Sequence, residues 1–270
     1  MPDPELVPFL HPSVAAAGTK HLALDEVDST NAEALRRALA GEPGPLWITA
    51  ARQTAGRGRR GRFWASEPGN LHASLLLTDP APVPQASEIS FVAALAAYDA
   101  VAETAPALAQ KLSLKWPNDL LCAGKKIAGI LVEGESKRGL TVVVGLGIDC
   151  VHHPADAQYP ATDLAAEGAG VSAATLFCAL TAAMQRRLAE WDRSNGFAAI
   201  RNAWLALGPA PGTPLVVRLS GSEITGRFET IDSQGNLVIT GDEGVSRIAA
   251  GDVFPLAAPG PAPSADRQRP

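Results

Sequence analysis

Short apolar runs of strand length, separated by Gly, Pro, Asp and Asn, fill much of the chain up to Cys150. Leu22–Val27, Leu46–Ala51 and Leu71–Leu77 read as strands, with a shorter one at Leu112–Lys115. Lys126–Val132 (KIAGILV) and Thr141–Ile148 (TVVVGLGI) read as neighbouring strands joined by a polar hairpin at Glu135–Gly139. Helical spacing occurs in NAEALRRALA, which stops at Gly41, in an Ala-rich stretch over Ile89–Glu103, and in Ala174–Trp191 and Phe197–Leu207. Strands interleaved with a few long helices predict an α+β fold, with helices covering one face of a mixed or antiparallel sheet.

The pattern changes at Gly208-Pro209-Ala210-Pro211-Gly212. Beyond it come Leu215–Leu219, Ile224–Ile231, Leu237–Thr240 and Val245–Ile248, short strands between Gly, Ser and Asp turns, which predict a small β-barrel of the SH3 type. The expected organisation is an irregular segment over 1–20, a large unit over 21–208, the barrel over 209–258, and a disordered Pro-rich tail over 259–270.

Composition narrows the function classes. The 270 residues are 46% hydrophobic and 19% charged with a net charge of −5, which fits a globular protein and opposes a general nucleic-acid binder. The three cysteines, Cys122, Cys150 and Cys178, form no CxxC pair, so a reducing compartment is expected. MPDPELVPFLHP is not a signal peptide and no apolar run has membrane-spanning length; a cytoplasmic protein is expected.

Against that acidic background, positive charge is concentrated in Gln53–Trp64, QTAGRGRRGRFW. Arg57, Arg59, Arg60 and Arg62 alternate with Gly56, Gly58 and Gly61, without any hydrophobic period. Glycine lets backbone approach a ligand, and guanidinium forks grip carboxylate or phosphate oxygens. A mobile loop closing over a small anion is one reading; a solvated basic turn or a nucleic-acid arm is the other. Lys115-Trp116-Pro117-Asn118-Asp119 follows a strand it cannot continue, and is either a turn anchored by Trp116 or a lysine, amide and carboxylate gathered at a strand end. Asn118 can both donate and accept, as an adenine edge requires, and Asp119 can hold Mg²⁺ or orient an amine. Lys126 opens an apolar strand and is placed at a core rim as a point charge for phosphate, while Gly129 within that strand suggests close approach of a ligand or backbone. Thr30 with Glu33 fits a capping box, although Ser29-Thr30-Asn31 as a group could also bind a polar ligand at a helix start. Gly145-Leu146-Gly147 by itself fits a bulge.

DSTN, QTAGRGRRGRFW, KWPNDL, KKIAGILVE and GLGID, in that order and followed by a small barrel, closely resemble the bacterial biotin protein ligases. The resemblance runs from about Leu22 to Ile148 in motifs and to about Leu256 in layout. It implies a catalytic domain related to class II aminoacyl-tRNA synthetases and lipoate ligases, followed by an SH3-like domain. It also implies ATP, Mg²⁺ and biotin as reactants and the biotin carboxyl carrier protein of acetyl-CoA carboxylase as partner. Biotin carboxylate would attack the α-phosphate of ATP, and a carrier lysine would then take biotin from biotinyl-5′-AMP.

By the same resemblance Ser29, Thr30, Asn31 and Gln53 would bind biotin, with Gly56, Arg57, Gly58, Arg59, Lys126 and Gly129 around it. Arg59, Arg62, Trp64, Lys115, Asn118 and Asp149 would hold ATP and the adenylate. Lys126, Arg59, Lys115 and Asp119 would carry the chemistry, Asp119 also being the candidate Mg²⁺ ligand. Asp149 departs from the family's usual Asn: an ionised carboxylate accepts from the adenine amino group but cannot donate to the ring nitrogen, so the expectation is either weaker nucleotide binding or contact with the amino group alone. The barrel's GDVFPL carries no arginine of the kind some relatives place near ATP, and no site residue is expected there. Some twenty irregular residues precede the motifs, too few for the DNA-binding domain of bifunctional relatives, so no DNA or membrane partner is expected, and the protein would be a monomer or weak homodimer. The rival readings are a lipoate or octanoate ligase of the same fold, and a module that binds biotinyl adenylate for regulation.

Overall fold

In the computed structural model, described over residues 7–136, 139–157 and 159–256, the apolar runs up to Ile148 assemble into one mixed sheet. Its strands are β1 (Lys20–Val27), β2 (Leu46–Gln53), β3 (Leu71–Thr78), β4 (Leu112–Lys115), β5 (Asp119–Cys122), β6 (Lys125–Glu135) and β7 (Thr141–Ile148), in the spatial order β1-β2-β3-β7-β6-β5-β4. β1 and β2 are parallel, which requires a crossover, and helix α2 (Thr30–Leu39) supplies it; α1 (Pro12–Ala16) precedes β1. The remaining neighbours are antiparallel.

Both faces of the sheet are covered, so the central strands β3 and β7 are buried almost throughout and read as continuous apolar runs rather than alternations. One face carries α3 (Ile89–Thr104), α4 (Ala173–Trp191) and α5 (Phe197–Leu207) over the main core. The many alanines of α3 leave it no polar face, and most of its residues are buried between the sheet, α4 and α5. On the opposite face α2 packs Ala34, Leu35 and Ala38 against Leu46, Ile48, Leu76 and Val143. Burying this second face is what points the N-terminus of α2 at the middle of the sheet.

The C-terminal strands β8 (Pro214–Arg218), β9 (Glu223–Ile231), β10 (Leu237–Gly241), β11 (Gly244–Ile248) and β12 (Asp252–Pro255) form an antiparallel sheet in the order β11-β10-β9-β8-β12. Alternate residues of β8 and β9 point inward, as a half-buried sheet demands. Phe228, Ile231, Leu237 and Ile239 are continuous with the main core. Trp116 Nε1 donates to Gly235 O (3.2 Å) and Arg201 Nε to Ile231 O (2.6 Å), which fixes this sheet against the first.

Several expectations are corrected. The segment over 1–20 contains α1 and the start of β1, and the tail from 259 lies outside the described residues. β5 was hidden because Asn118-Asp119 turns directly into it, and β12 because Gly251 and Pro255 bracket only a few residues. Gly145-Leu146-Gly147 is not a bulge: β7 keeps its register with both β3 and β6 through those positions. The irregularity is in the β5–β6 pair instead, where Leu121 faces Lys126 and Leu120 faces Ala128.

Phe177 of α4 ties this architecture together, with its ring 4.9 Å from that of His21 and edge-on to Trp47 at 5.4 Å. Phe177→Ala is expected to lower unfolding free energy by about 3–5 kcal/mol. Denaturant unfolding checks this; a loss of a few tenths would mean that α4 is not packed on β1 and β2 as described.

Candidate active site

Where α2 begins, its polar residues meet the middle of the sheet. Ser29, Thr30 and Asn31 are buried, yet no side chain caps this helix. The capping box does not form: Glu33 pairs with Arg36 and Arg37, while Thr30 turns inward. Thr30 N and Oγ1 both donate to Gln53 Oε1 (2.8 and 3.1 Å), and Gln53 Nε2 donates to Ser66 Oγ (2.9 Å). Ser74 Oγ hydrogen-bonds Thr30 Oγ1 (2.8 Å) and Asn31 Oδ1 (2.6 Å). Asn31 Nδ2 in turn donates to Glu133 Oε2 (2.8 Å). This connected network leaves each member's orientation fixed, as buried polar groups require.

The glycines of β6 and β7 have steric reasons. A Cβ on Gly145 would lie 2.3 Å from Asn31 Oδ1, and one on Gly147 would lie 2.5 Å from the Trp64 indole. On Gly129, directly across from Gly147 in the sheet, a Cβ would lie 2.9 Å from the same indole and 3.1 Å from Lys126 Nζ. Bare backbone at these positions makes room for side chains arriving from α2 and from the arginine loop.

The β6 irregularity aims Lys126 into the site. Its Nζ lies 2.7 Å from Asp119 Oδ1, and Lys115 Nζ lies 2.7 Å from Asp119 Oδ2, so one buried carboxylate is shared by two ammonium groups. Burial alone would raise the Asp119 pKa, but Lys126 and Lys115 together outweigh it and hold the carboxyl below its ordinary value. Lys126 also stands over the Trp64 ring at 5.2 Å and Lys115 over Tyr159 at 4.5 Å. Asp119 thus directs one oxygen to each lysine, and no cluster of three or more metal-binding side chains occurs among the described residues.

The arginines divide their contacts. Arg57 reaches back to Glu133 on β6 (3.1 Å). Arg59 donates to Asn118 Oδ1 (3.3 Å) and Gly251 O (3.2 Å), and burial lowers its pKa from the usual arginine value. Arg60 and Arg62 both pair with Asp252 of β12. Asn118 Nδ2 donates to Ile130 O, which fixes the face its amide shows.

These pieces enclose a cavity of about 500 Å³. Of the residues expected from sequence, Ser29, Thr30, Asn31, Gln53, Arg57, Gly58, Arg59, Arg62 and Trp64 line it from the α2 and loop side, and Lys115, Asn118, Asp119, Lys126, Gly129 and Asp149 from the other. Gly56 does not: it lies behind the loop, where a Cβ would meet Ser66 Oγ at 2.5 Å. Ser66, Ser74, Glu133, Tyr159 and Asp252 were missed as site residues; Glu133 and Asp252 lie within the segments KKIAGILVE and GDVFPL, but each of the five reaches the site through pairing with residues distant in sequence. The C-terminal sheet, where no site residue was expected, therefore does contribute to the site, through Asp252 and Phe254.

Asp149, at the end of β7, is buried and accepts from Asn70 Nδ2 through Oδ1 (3.1 Å). Burial pushes its pKa up to about 8; Lys126 pulls against that shift and the Asp163 carboxylate adds to it. Against the expectation of a plainly ionised Asp149, burial favours its protonated form, in which the carboxyl can donate as well as accept.

Comparison with known proteins agrees with this geometry. The profile of the biotin/lipoate A/B protein ligase family matches residues 24–149, and that of the biotin protein ligase C-terminal domain matches 214–254. The chain is 41% identical over 239 residues to the biotin–[acetyl-CoA-carboxylase] ligase of Paracoccus denitrificans, covering 86% of this chain and 98% of that one. It is 32% identical over 258 residues to the enzyme of the same name from Mycobacterium tuberculosis, covering 92% and 94%. Among solved structures, the biotin protein ligase of Aquifex aeolicus in complex with biotin and ATP is similar with a TM-score of 0.73 at 27% identity, over 87% of this chain and 97% of that chain. Sequence match across both units and a shared fold lead to one conclusion: the chain belongs to the biotin/lipoate A/B protein ligase family, among the biotin protein ligases.

Proposed function

We propose that this protein is an ATP-dependent biotin–[acetyl-CoA-carboxylase] ligase, which activates biotin as biotinyl-5′-AMP and transfers it to a lysine of the biotin carboxyl carrier protein. The observation that carries the reading is the concentration of Lys115, Lys126 and Arg59 around one cavity whose far wall is a neutral hydrogen-bond network, in a chain 41% identical to a ligase of that activity. A class II synthetase-like catalytic domain over 21–208 and an SH3-like domain over 209–258 are the finer assignments we favour, supported by the mixed sheet with its helices and the five-stranded antiparallel sheet. A reducing cytoplasm suits the free thiols of Cys122, Cys150 and Cys178.

Each step follows from charge and position. The Thr30, Asn31 and Gln53 end of the cavity offers donors and acceptors to an uncharged polar head group, leaving the biotin carboxylate to extend toward Lys126. Two anions, that carboxylate and the α-phosphate, must approach for the first bond to form. The Lys126 ammonium lies where it offsets their repulsion and the charge that builds up on the phosphate oxygens at transfer. Asp119 holds Lys126 and Lys115 in place, and Arg59 adds a further cation from the loop side. Carboxylate oxygen bonds to phosphorus as pyrophosphate leaves. In the second step the carrier amine attacks the acyl carbon and AMP leaves. Mg²⁺ would arrive with the ATP phosphates and would retain several of its waters there.

Asp149 is assigned to the adenine edge. With Oδ1 engaged by Asn70, Oδ2 carries the proton and presents a donor, so the pair of oxygens offers what an Asn amide would.

The decisive experiment is intact-mass spectrometry of an apo carrier domain incubated with the protein, ATP, Mg²⁺ and equal biotin and lipoate. An ATP-dependent biotin-sized adduct is expected; a lipoyl adduct or none would overturn the assignment. Lys126→Ala is expected to slow adenylate formation by about 100- to 1,000-fold without unfolding the protein. Near-normal single-turnover rates in that variant would remove Lys126 from the mechanism. Raising the pH through about 8 ionises Asp149 and removes its donor hydrogen, so KM for ATP should climb on the alkaline side. Asp149→Asn should abolish that limb; an identical pH profile in the variant would show that Asp149 does not meet the nucleotide.

A further inference from the structure

The tip of the arginine loop is poorly secured by its own sequence. A backbone bridge between Arg57 and Phe63, with Gly58 N donating to Arg62 O (2.7 Å), closes its base. Phe63 is 75% exposed and gives it no hydrophobic anchor. At the tip, Arg60 has φ 57° and ψ 28°, a left-handed conformation that a long side chain rarely adopts. An interaction outside the loop must offset that preference.

Strand β12 provides it. Asp252 Oδ2 accepts from Arg60 Nη1 at 3.0 Å and also pairs with Arg62 Nη2, while the preceding carbonyl, Gly251 O, accepts from Arg59. The Asp252 side chain is only 14% exposed, so these pairs are shielded more than ordinary surface ion pairs. One carboxylate does not neutralise the several guanidiniums around it, and the cavity keeps its positive face. Arg59 approaches Asp252 Oδ1 only at 3.8 Å and is held chiefly by Asn118 and Gly251, so it is Arg60 and Arg62 whose charge is spent on fastening.

We infer that Asp252 is a positioning residue that fastens the arginine loop across the mouth of the cavity, through Arg60 and Arg62, and so governs how long the acyl-adenylate is retained. This deepens the ligase reading and rests on it. An adenylate that escapes meets water, which attacks the acyl carbon and gives biotin and AMP; a fastened loop keeps the anhydride for the carrier lysine. The C-terminal sheet therefore acts on the reaction without touching the reacting atoms.

The test uses the full-length protein. Biotinyl adenylate is formed on the enzyme from labelled biotin and ATP, and its release is followed after a chase with unlabelled biotin, alongside trypsin cleavage within the loop without ligand. Asp252→Asn is expected to speed release by roughly tenfold, the effect of losing a charge-assisted hydrogen bond, and to expose the loop to trypsin, with Asp252→Glu close to wild type. Arg60→Gln/Arg62→Gln, which leaves the C-terminal sheet untouched, should speed release similarly, and adding Asp252→Asn to it should add little. Unchanged release and cleavage in Asp252→Asn, or fully additive effects in the combined variant, would overturn the inference. Wild-type protein that forms no adenylate would instead refute the ligase reading, and the proteolysis comparison would still decide whether Asp252 fastens the loop.

Discussion

A buried carboxylate held between two ammonium groups organises this site. Asp119 lies at the turn from β4 into β5, Lys115 comes from the end of β4, and Lys126 from β6 on the far side of β5. Three neighbouring strands must keep their register for the charges to meet at 2.7 Å, and the irregularity opposite Leu121 is part of that register. Without Asp119 the two ammonium groups would repel one another at the edge of a core. With it, both are held side by side at a cavity that must draw two anions together. The same triad explains why an acidic protein can have a strongly cationic pocket: its positive charges are held in place by few carboxylates, each serving more than one partner.

Sharing of that kind recurs. Glu133 serves Asn31 and Arg57, and Asp252 serves Arg60 and Arg62. The neutral end of the cavity uses the same economy with hydroxyls and amides, since Ser74 bonds both Thr30 and Asn31, and Gln53 joins Thr30 to Ser66. Loss of one member disturbs two contacts, so substitutions within these groups should couple rather than add.

How much of this could be read in the chain depended on whether the information was local. Strand and helix runs such as TVVVGLGI and NAEALRRALA carry their own periodicity and became β7 and α2. The arginine loop and KWPND stood out because their composition fits no regular element. β5 and β12 escaped, being four residues each and bounded by residues that usually end strands. Asp252 could not be connected with Arg62 from sequence at all, because 190 positions separate them and only the docking of the second sheet brings them together. Asp149 is a subtler case. Its identity was plain, but its protonation state is set by burial that no one-dimensional pattern records. Thr30 misled in the opposite direction, since a local capping pattern was outcompeted by Gln53 and Ser74 from strands far along the chain.

Gly129 and Gly147, paired across β6 and β7, leave a strip of sheet with no side chains on the face that Trp64 covers. The indole therefore serves as the side chain that two central strands lack. Lifting the loop would wet adjacent peptide groups in the interior of a sheet and strip Lys126 of an aromatic neighbour. Opening of this segment therefore carries a cost set by the sheet backbone it would leave exposed.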